Sequence, residues 1–138
     1  MRGVDTPLLL ALLEGRPDGR GIAEHQPSEE LCTTEINMFE LEALARMGPS
    51  DGRARRLAAL ERLRRRLGIL PIDERAARLA ALLAAQSPGA LPASTCLVVG
   101  AFQAAGATEM LTTEASHLSG VKLPIRVTIV QRRHPKSR

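Results

Sequence analysis

The carboxylate of Glu40 stands where a surface charge is not expected. The segment CTTEINMFELEAL, residues 32–44, predicts a helix from about Thr34 whose apolar residues share one stripe. That stripe consists of Ile36, Phe39, Ala43, Leu44 and Met47. At about 100° per residue, Glu40 falls in its middle. Because burying a bare carboxylate costs several kcal/mol, we expect Glu40 to pair with an arginine, to reach solvent at a sheet edge, or to face a bound cation.

Three further residues could share a site with Glu40. Asp5 ends the first predicted strand, Thr95 opens the helix before the fourth strand, and Glu114 follows that strand. Ligands of parallel α/β sheets bind beyond the carboxyl ends of the strands, so these positions could converge on one crevice. Carboxylates held together repel one another, and a hard divalent cation relieves that cost. Simpler roles stay open, since Asp5 can cap a helix and Glu114 can be a plain loop glutamate.

Short strands alternate with helices along the chain. The predicted strands are RGVDT, LCTT, GILPID, ATEMLTT and IRVTIV. The predicted helices are TPLLLALLEG with Thr6 as N-cap, the segment that carries Glu40, a long helix capped by Ser50 or Asp51 and ending near Leu67, ERAARLAALLAAQ, and TCLVVGAFQAAG. RPDGRGIAEHQPSEE predicts a turn-rich connection. The alternation predicts an α/β fold with one domain at 1–130, whose parallel sheet is covered on both faces, and a basic tail at 131–138.

The composition of the chain excludes several classes of function. The 138 residues carry a net charge of +4, and all but two of the 19 basic side chains are arginines, which suit a polyanion or an acidic protein segment. With no Trp, no Tyr and two Phe, base stacking on aromatic side chains is nearly excluded. Cys32 and Cys96 lack metal-ligand spacing and are typical of core thiols in a reducing compartment. No apolar run reaches membrane-spanning length, so we expect a cytoplasmic protein.

Three stretches of the sequence, in order and with family-like gaps, resemble the PIN-domain family. VDTPLLLALLEG resembles its opening strand and helix, TTEINMFELEAL its second motif, and LPASTCLVVGAFQAAGATEMLTTEASHLSGV its third region, which together cover about residues 1–130. The resemblance implies a three-layer α/β/α sandwich with a central parallel sheet of about five short strands. It also implies a metal-dependent ribonuclease with a cluster of carboxylates. Small single-domain members are mostly VapC-type toxins of toxin–antitoxin pairs, and many form homodimers.

The resemblance carries the family's acidic positions onto residues of this chain. The catalytic acids fall on Asp5, Glu40 and Glu114, and Thr6 matches the hydroxyl that commonly follows the first acid. Asp5 and Glu40 would hold Mg²⁺ or Mn²⁺. The implied substrate is RNA, and the implied partner is a small antitoxin protein.

The chain departs from the family pattern where the third acid should stand. Counting back from Gly106 places Thr95 there, and no Asp or Glu occurs between Arg78 and Glu109. Pro7 also replaces the small polar residue that usually follows Asp-Thr. We therefore expect a VapC-like endoribonuclease weakened by the loss of one carboxylate. The alternative is a catalytically inactive PIN-fold protein that binds RNA or an antitoxin-like partner.

The long predicted helix carries an arginine stripe, formed by Arg55, Arg62 and Arg66. On its opposite side lie Leu57, Leu60, Leu63 and Leu67. One interpretation of the stripe is a solvated charged face. The other is a surface that contacts RNA phosphates or an acidic segment of an antitoxin.

Overall fold

The computed structural model describes residues 1–14, 31–114, 116–118 and 120–130. The strands among them are β1 (Arg2–Val4), β2 (Leu31–Thr34), β3 (Gly68–Leu70), β4 (Glu109–Thr112) and β5 (Arg126–Ile129). The helices among them are α1 (Thr6–Leu13), α2 (Glu35–Met47), α3 (Arg53–Arg66), α4 (Glu74–Gln86) and α5 (Ala93–Ala104), with a 3₁₀ turn at Ser116–Leu118. The predicted α/β class is confirmed. The predicted connection at 16–30 and the basic tail at 131–138 lie outside the described residues.

The order of the strands puts β1 in the middle of a parallel sheet, β3-β2-β1-β4-β5. β1 pairs with β2 through Arg2 and Leu31, and with β4 through Val4 and Leu111. The chain winds outward from β1 to β3 on one side and adds β4 and β5 on the other. The strand order therefore reverses between β1 and β4, which is where open α/β sheets bind ligands.

Adjacent residues of β1 face opposite sides of the sheet. Val4 belongs to a core shared with the leucines of α1 and α3. On the other face, Gly3 lies under the ring of Phe102, and a Cβ at Gly3 would come within 2.6 Å of that ring. A Cβ at Gly100 of α5 would overlap the carbonyl oxygen of Ala76 in α4. This close packing makes α4 and α5 direct neighbours, and the two cores make three layers.

The predicted apolar stripe of α2 is not its buried face. The buried residues of α2 are Asn37, Met38, Leu41 and Ala45. Phe39 and Met47 from the predicted stripe are 70% and 81% exposed. The helix has apolar residues on two sides, and the side with Met38 and Leu41 packs against α1 and α3. The sequence periodicity alone could not decide between the two sides.

The structure also corrects the predicted starts of two helices. Asp5, rather than Thr6, is the N-cap of α1, and its side chain accepts from the peptide N–H of Leu8. Gly52, in the left-handed region with φ 81°, precedes α3 in place of Ser50 or Asp51. Among the described residues, no helix has the length and apolar content needed to cross a membrane.

Candidate active site

A cavity of about 390 Å³ lies at the carboxyl edge of the sheet, where the strand order reverses. Its polar lining comes from four elements: the end of β1, the start of α1, the first two turns of α2 and the first turn of α5. We call Asp5, Thr6, Asn37 and Glu40 the acid wall of this cavity. We call Ser94 and Thr95, both from α5, the hydroxyl wall. The predicted convergence of Asp5, Glu40 and Thr95 on one crevice therefore agrees with the structure.

Asp5 is fixed between α1 and β4. Its side chain is 6% exposed, and Oδ1 accepts from the peptide N–H of Leu8 at 3.3 Å. Its own peptide N–H donates to the carbonyl oxygen of Leu111 at 3.3 Å. Asp5 therefore caps α1, which is the role that the sequence left open, and it also lines the cavity.

Glu40 faces the hydroxyl of Thr6. Thr6 Oγ1 donates to Glu40 Oε1 at 2.9 Å, and Thr6 Oγ1 accepts from Asn37 Nδ2 at 3.0 Å. Glu40 is half-buried, and no arginine in the described part of the chain forms an ion pair with it. Among the described residues, the alternative of pairing with an arginine therefore does not explain its position. The Glu40 carboxylate lies at the edge of the cavity and accepts a hydrogen bond from the neutral hydroxyl of Thr6.

The hydroxyl wall stands where the third acid was expected. Thr95 lies in the first turn of α5, is half-buried, and lines the cavity beside Ser94. Across residues 1–14, 31–114, 116–118 and 120–130, no three His, Cys, Asp or Glu side chains come close enough to hold a metal ion together. The cavity is thus a site with two carboxylates and several neutral oxygens.

The donor set of this cavity fits a hard divalent cation. Carboxylate oxygens come from Asp5 and Glu40, and neutral hydroxyl oxygens come from Thr6, Ser94 and Thr95. Mg²⁺ is commonly bound by one or two protein carboxylates and keeps several waters, for which the cavity has room. Among the described residues that line the cavity there is no cysteine and no histidine, which disfavours softer metals.

The structure does not bring Glu114 into the cavity. Glu114 follows β4 at the same edge of the sheet, but its exposed carboxylate accepts from Ser116 Oγ at 2.9 Å. Its backbone forms a local turn with the Thr112 hydroxyl. This geometry favours the plain loop glutamate, and its catalytic role stays a prediction.

The predicted arginine stripe divides between two surfaces. Arg55 and Arg62 line a second groove of about 580 Å³ between α1, α2 and α3, whose apolar floor includes Leu41 and Leu60. Arg66 is exposed and does not line this groove. None of the three lines the acidic cavity.

Cys32 is a core thiol, as predicted. It is 1% exposed and donates to the carbonyl oxygen of Arg2 at 3.4 Å. Burial raises the pKa of this thiol to about 11, so it stays protonated at neutral pH and is not a nucleophile.

The site residue that the sequence did not reveal is Asn37. It is 2% exposed, lies three residues before Glu40, and contacts both Thr34 and Thr6. The sequence does contain a pattern that indicates this residue. A threonine followed three residues later by a polar amide is a capping pattern, and Asn37 shares a helix face with Glu40 because the two are three residues apart.

Comparisons with known proteins agree with this architecture. A family model described as the PIN domain matches residues 4–112. No curated protein sequence gave a significant match. Among solved structures, DNA-bound VapBC from Salmonella typhimurium is 20% identical with a TM-score of 0.77, covering 93% of this chain and 96% of that one. FitAcB from Neisseria gonorrhoeae is 16% identical with a TM-score of 0.78, covering 92% and 96%. VapC20 from Mycobacterium tuberculosis, described as a toxin that cleaves the sarcin-ricin loop, is 14% identical with a TM-score of 0.67, covering 88% and 97%.

Proposed function

This chain belongs to the PIN-domain family, and on that premise we propose that it is a metal-dependent endoribonuclease of the VapC toxin type. The observation that carries the proposal is the pair of carboxylates, Asp5 and Glu40, on one wall of an oxygen-lined cavity at the reversal of strand order. A structural neighbour described as a toxin that cleaves the sarcin-ricin loop supports RNA as the substrate class. The sequence predicts a nuclease weakened by the loss of one carboxylate. The hydroxyl wall, which offers only neutral oxygens, supports that expectation.

Asp5 and Glu40 would hold Mg²⁺ or Mn²⁺. Such an ion would supply Lewis-acid chemistry toward a phosphate oxygen and would lower the pKa of a bound water molecule. The chain's own part is to fix the two carboxylates before any ion arrives: Asp5 through Leu8 and Leu111, and Glu40 through Thr6. Two like charges held in one cavity repel, so the site is poised to take up a cation.

Thr95 sets the strength of the proposed site. A carboxylate at this position would add a third negative charge, whereas its hydroxyl adds a neutral oxygen. The first turn of α5 also contributes a positive helix end, which favours an anion such as a phosphate in the cavity. We expect a cation requirement higher than that of a site with three acids.

The natural partner in this proposal is a small antitoxin protein. Two of the structural neighbours are described as VapBC or toxin–antitoxin complexes. The groove lined by Arg55 and Arg62 has an apolar floor and a basic rim, which suits an amphipathic segment with acidic residues. The proposed setting of this pair is the cytoplasm.

The exposed apolar face of α2 supports a homodimer. Phe39, Leu44 and Met47 are 70%, 48% and 81% exposed on one helix. Large apolar side chains grouped on a surface mark interaction sites more often than scattered ones do. In this proposal a second copy of the chain covers them.

A second candidate function is a non-catalytic PIN-fold protein that binds RNA or an antitoxin-like partner. The neutral Thr95 favours it, because a site without one of its metal-binding acids binds the cation less tightly. The pair Asp5 and Glu40, held in place by hydrogen bonds, disfavours it.

An RNA cleavage assay across a Mg²⁺ and Mn²⁺ titration separates the two functions. Wild type should cleave in a metal-dependent manner, and Glu40→Gln should lose cleavage. Glu42→Gln is the matched control, since Glu42 is on the same helix but pairs with Arg46 on the surface. Metal binding without cleavage at any metal concentration would favour the non-catalytic function.

A further inference from the structure

We infer that Asn37 is a positioning residue that sets the orientation of Glu40 through the hydroxyl of Thr6. The inference rests on the proposed function, because it concerns how the acid wall is made ready for a cation. Asn37 does not have to touch that cation. Its effect passes through two hydrogen bonds that connect α2 to α1 and back to α2.

The orientation of the Asn37 amide follows from its neighbours. The peptide N–H of Thr34 lies 3.2 Å from one end of the amide, and a peptide N–H can only donate. That end must therefore be the oxygen, Oδ1, which also accepts from Thr34 Oγ1 at 2.7 Å. The NH₂ end is left to face Thr6 at 3.0 Å.

The direction of the next hydrogen bond is then also fixed. A hydroxyl has one proton, and Thr6 Oγ1 already accepts from Asn37 Nδ2. The geometry leaves that proton for Glu40 Oε1 at 2.9 Å. Each group in this series therefore donates to the next, from the Thr34 N–H through the Asn37 amide and the Thr6 hydroxyl to the Glu40 carboxylate.

Burial makes this series rigid. Thr34 and Asn37 are 0% and 2% exposed, so water does not compete for their polar atoms. Asn37 and Glu40 are three apart on α2 and lie on the same face, and Thr6 comes from α1 immediately after Asp5. One amide therefore couples the two acid-bearing segments of the wall.

Asn37 has a second role that a test must separate, because it also completes the capping box of α2 with Thr34. Thr34→Ala removes the hydroxyl half of the cap and leaves the Asn37–Thr6–Glu40 contacts in place. Asn37→Ala removes both the amide half of the cap and the contact with Thr6. Asn37→Ser retains a group that can cap the helix but is too short to reach Thr6, and it serves if Asn37→Ala fails to fold.

The test is the Mn²⁺ dissociation constant of the full chain, measured by electron paramagnetic resonance of free Mn²⁺, beside the melting temperature without metal. Asn37→Ala and Asn37→Ser should raise the dissociation constant about tenfold, as the loss of outer hydrogen bonds to a ligand does. Thr34→Ala should lower the melting temperature, because it removes a helix cap. It should leave the dissociation constant within about twofold of wild type, because the cap does not contact Glu40.

A double-mutant cycle with Thr6 identifies the route. Thr6→Val should weaken Mn²⁺ binding, Thr6→Ser should restore it, and adding Asn37→Ala to Thr6→Val should have no further effect. Additive effects, or equal effects of Asn37→Ala and Thr34→Ala, would overturn the inference alone. Absence of saturable Mn²⁺ binding by wild type would overturn the proposed function, and this inference with it.

Discussion

The two walls of the cavity are built in different ways. The acid wall is held by hydrogen bonds that join Asp5 to Leu8 and Glu40 to Thr6, with a buried amide behind them. The hydroxyl wall is the first turn of α5, which begins after Pro92 without a side-chain cap, with Ser94 exposed and Thr95 half-buried. The acid wall therefore depends on contacts between α1 and α2, whereas the hydroxyl wall depends on the side chains of a single helical turn.

Removing a charge from the acid wall should have the largest effect. Without metal, Glu40→Gln should be neutral or stabilising, because it removes one of the two like-charged carboxylates of the acid wall. With Mn²⁺ the order should reverse, since wild type gains about 2.7 kcal/mol at a Mn²⁺ concentration about 100-fold above its dissociation constant. Thermal melts of the two proteins with and without Mn²⁺ measure the stability difference in each condition. Equal Mn²⁺ shifts in the two proteins would show that Glu40 is not a ligand.

Adding a charge to the hydroxyl wall should have the next largest effect. Thr95→Asp should tighten Mn²⁺ binding by about tenfold, or about 1.4 kcal/mol, and speed RNA cleavage. The first turn of α5 also favours a negative charge. The same change should be neutral or destabilising without metal, because a third carboxylate joins two others. An unchanged Mn²⁺ affinity would mean that Thr95 is not in the place of the missing acid, and tighter binding without cleavage would favour the non-catalytic function.

A smaller effect is expected from the arginine stripe, which lies away from both walls. If the stripe contacts RNA phosphates rather than an antitoxin segment, changing Arg55, Arg62 and Arg66 together to Gln should weaken RNA binding and flatten its dependence on salt. The logarithmic slope should fall by about 0.7 for each phosphate that an arginine no longer neutralises. Filter binding across a series of salt concentrations measures the slope. An unchanged affinity and slope would return the stripe to a solvated surface.

The smallest effect on the cavity is expected from the exposed face of α2. Phe39→Ser should weaken the proposed homodimer, because it removes a 70% exposed aromatic side chain from the apolar face. It should leave Mn²⁺ affinity unchanged, since Phe39 does not line the cavity. Sedimentation velocity gives the first result and a Mn²⁺ titration the second. A dimer that persists in the variant would place the self-association surface elsewhere.

The topology of the site could be predicted because alternating short strands and helices leave few arrangements. A parallel sheet brings Asp5, at the end of β1, and Glu40, in the helix after β2, to the same edge. The place of Thr95 followed from the helix before β4, since the start of that helix lies at the same edge. The roles of these residues in metal binding and cleavage stay predictions.

Side-chain orientation could not be predicted in the same way. Phe39 and Met38 lie on different sides of one helix, and the periodicity supports either as the buried side. Glu114 follows a strand at the right edge, but local hydrogen bonds to Ser116 and Thr112 decide where it points. Asn37 has the sequence position of an ordinary helix-capping residue, and its contact with Thr6 joins positions 31 residues apart.

The most direct test of the central claim is a Mn²⁺ titration of wild type and Asp5→Asn. Asparagine caps helices about as well as aspartate, so α1 should form normally in the variant. We predict a saturable Mn²⁺ site in wild type that Asp5→Asn weakens at least about tenfold, or by about 1.4 kcal/mol. Equal Mn²⁺ affinity in the two proteins, with both folded, would contradict the claim that the acid wall holds the metal.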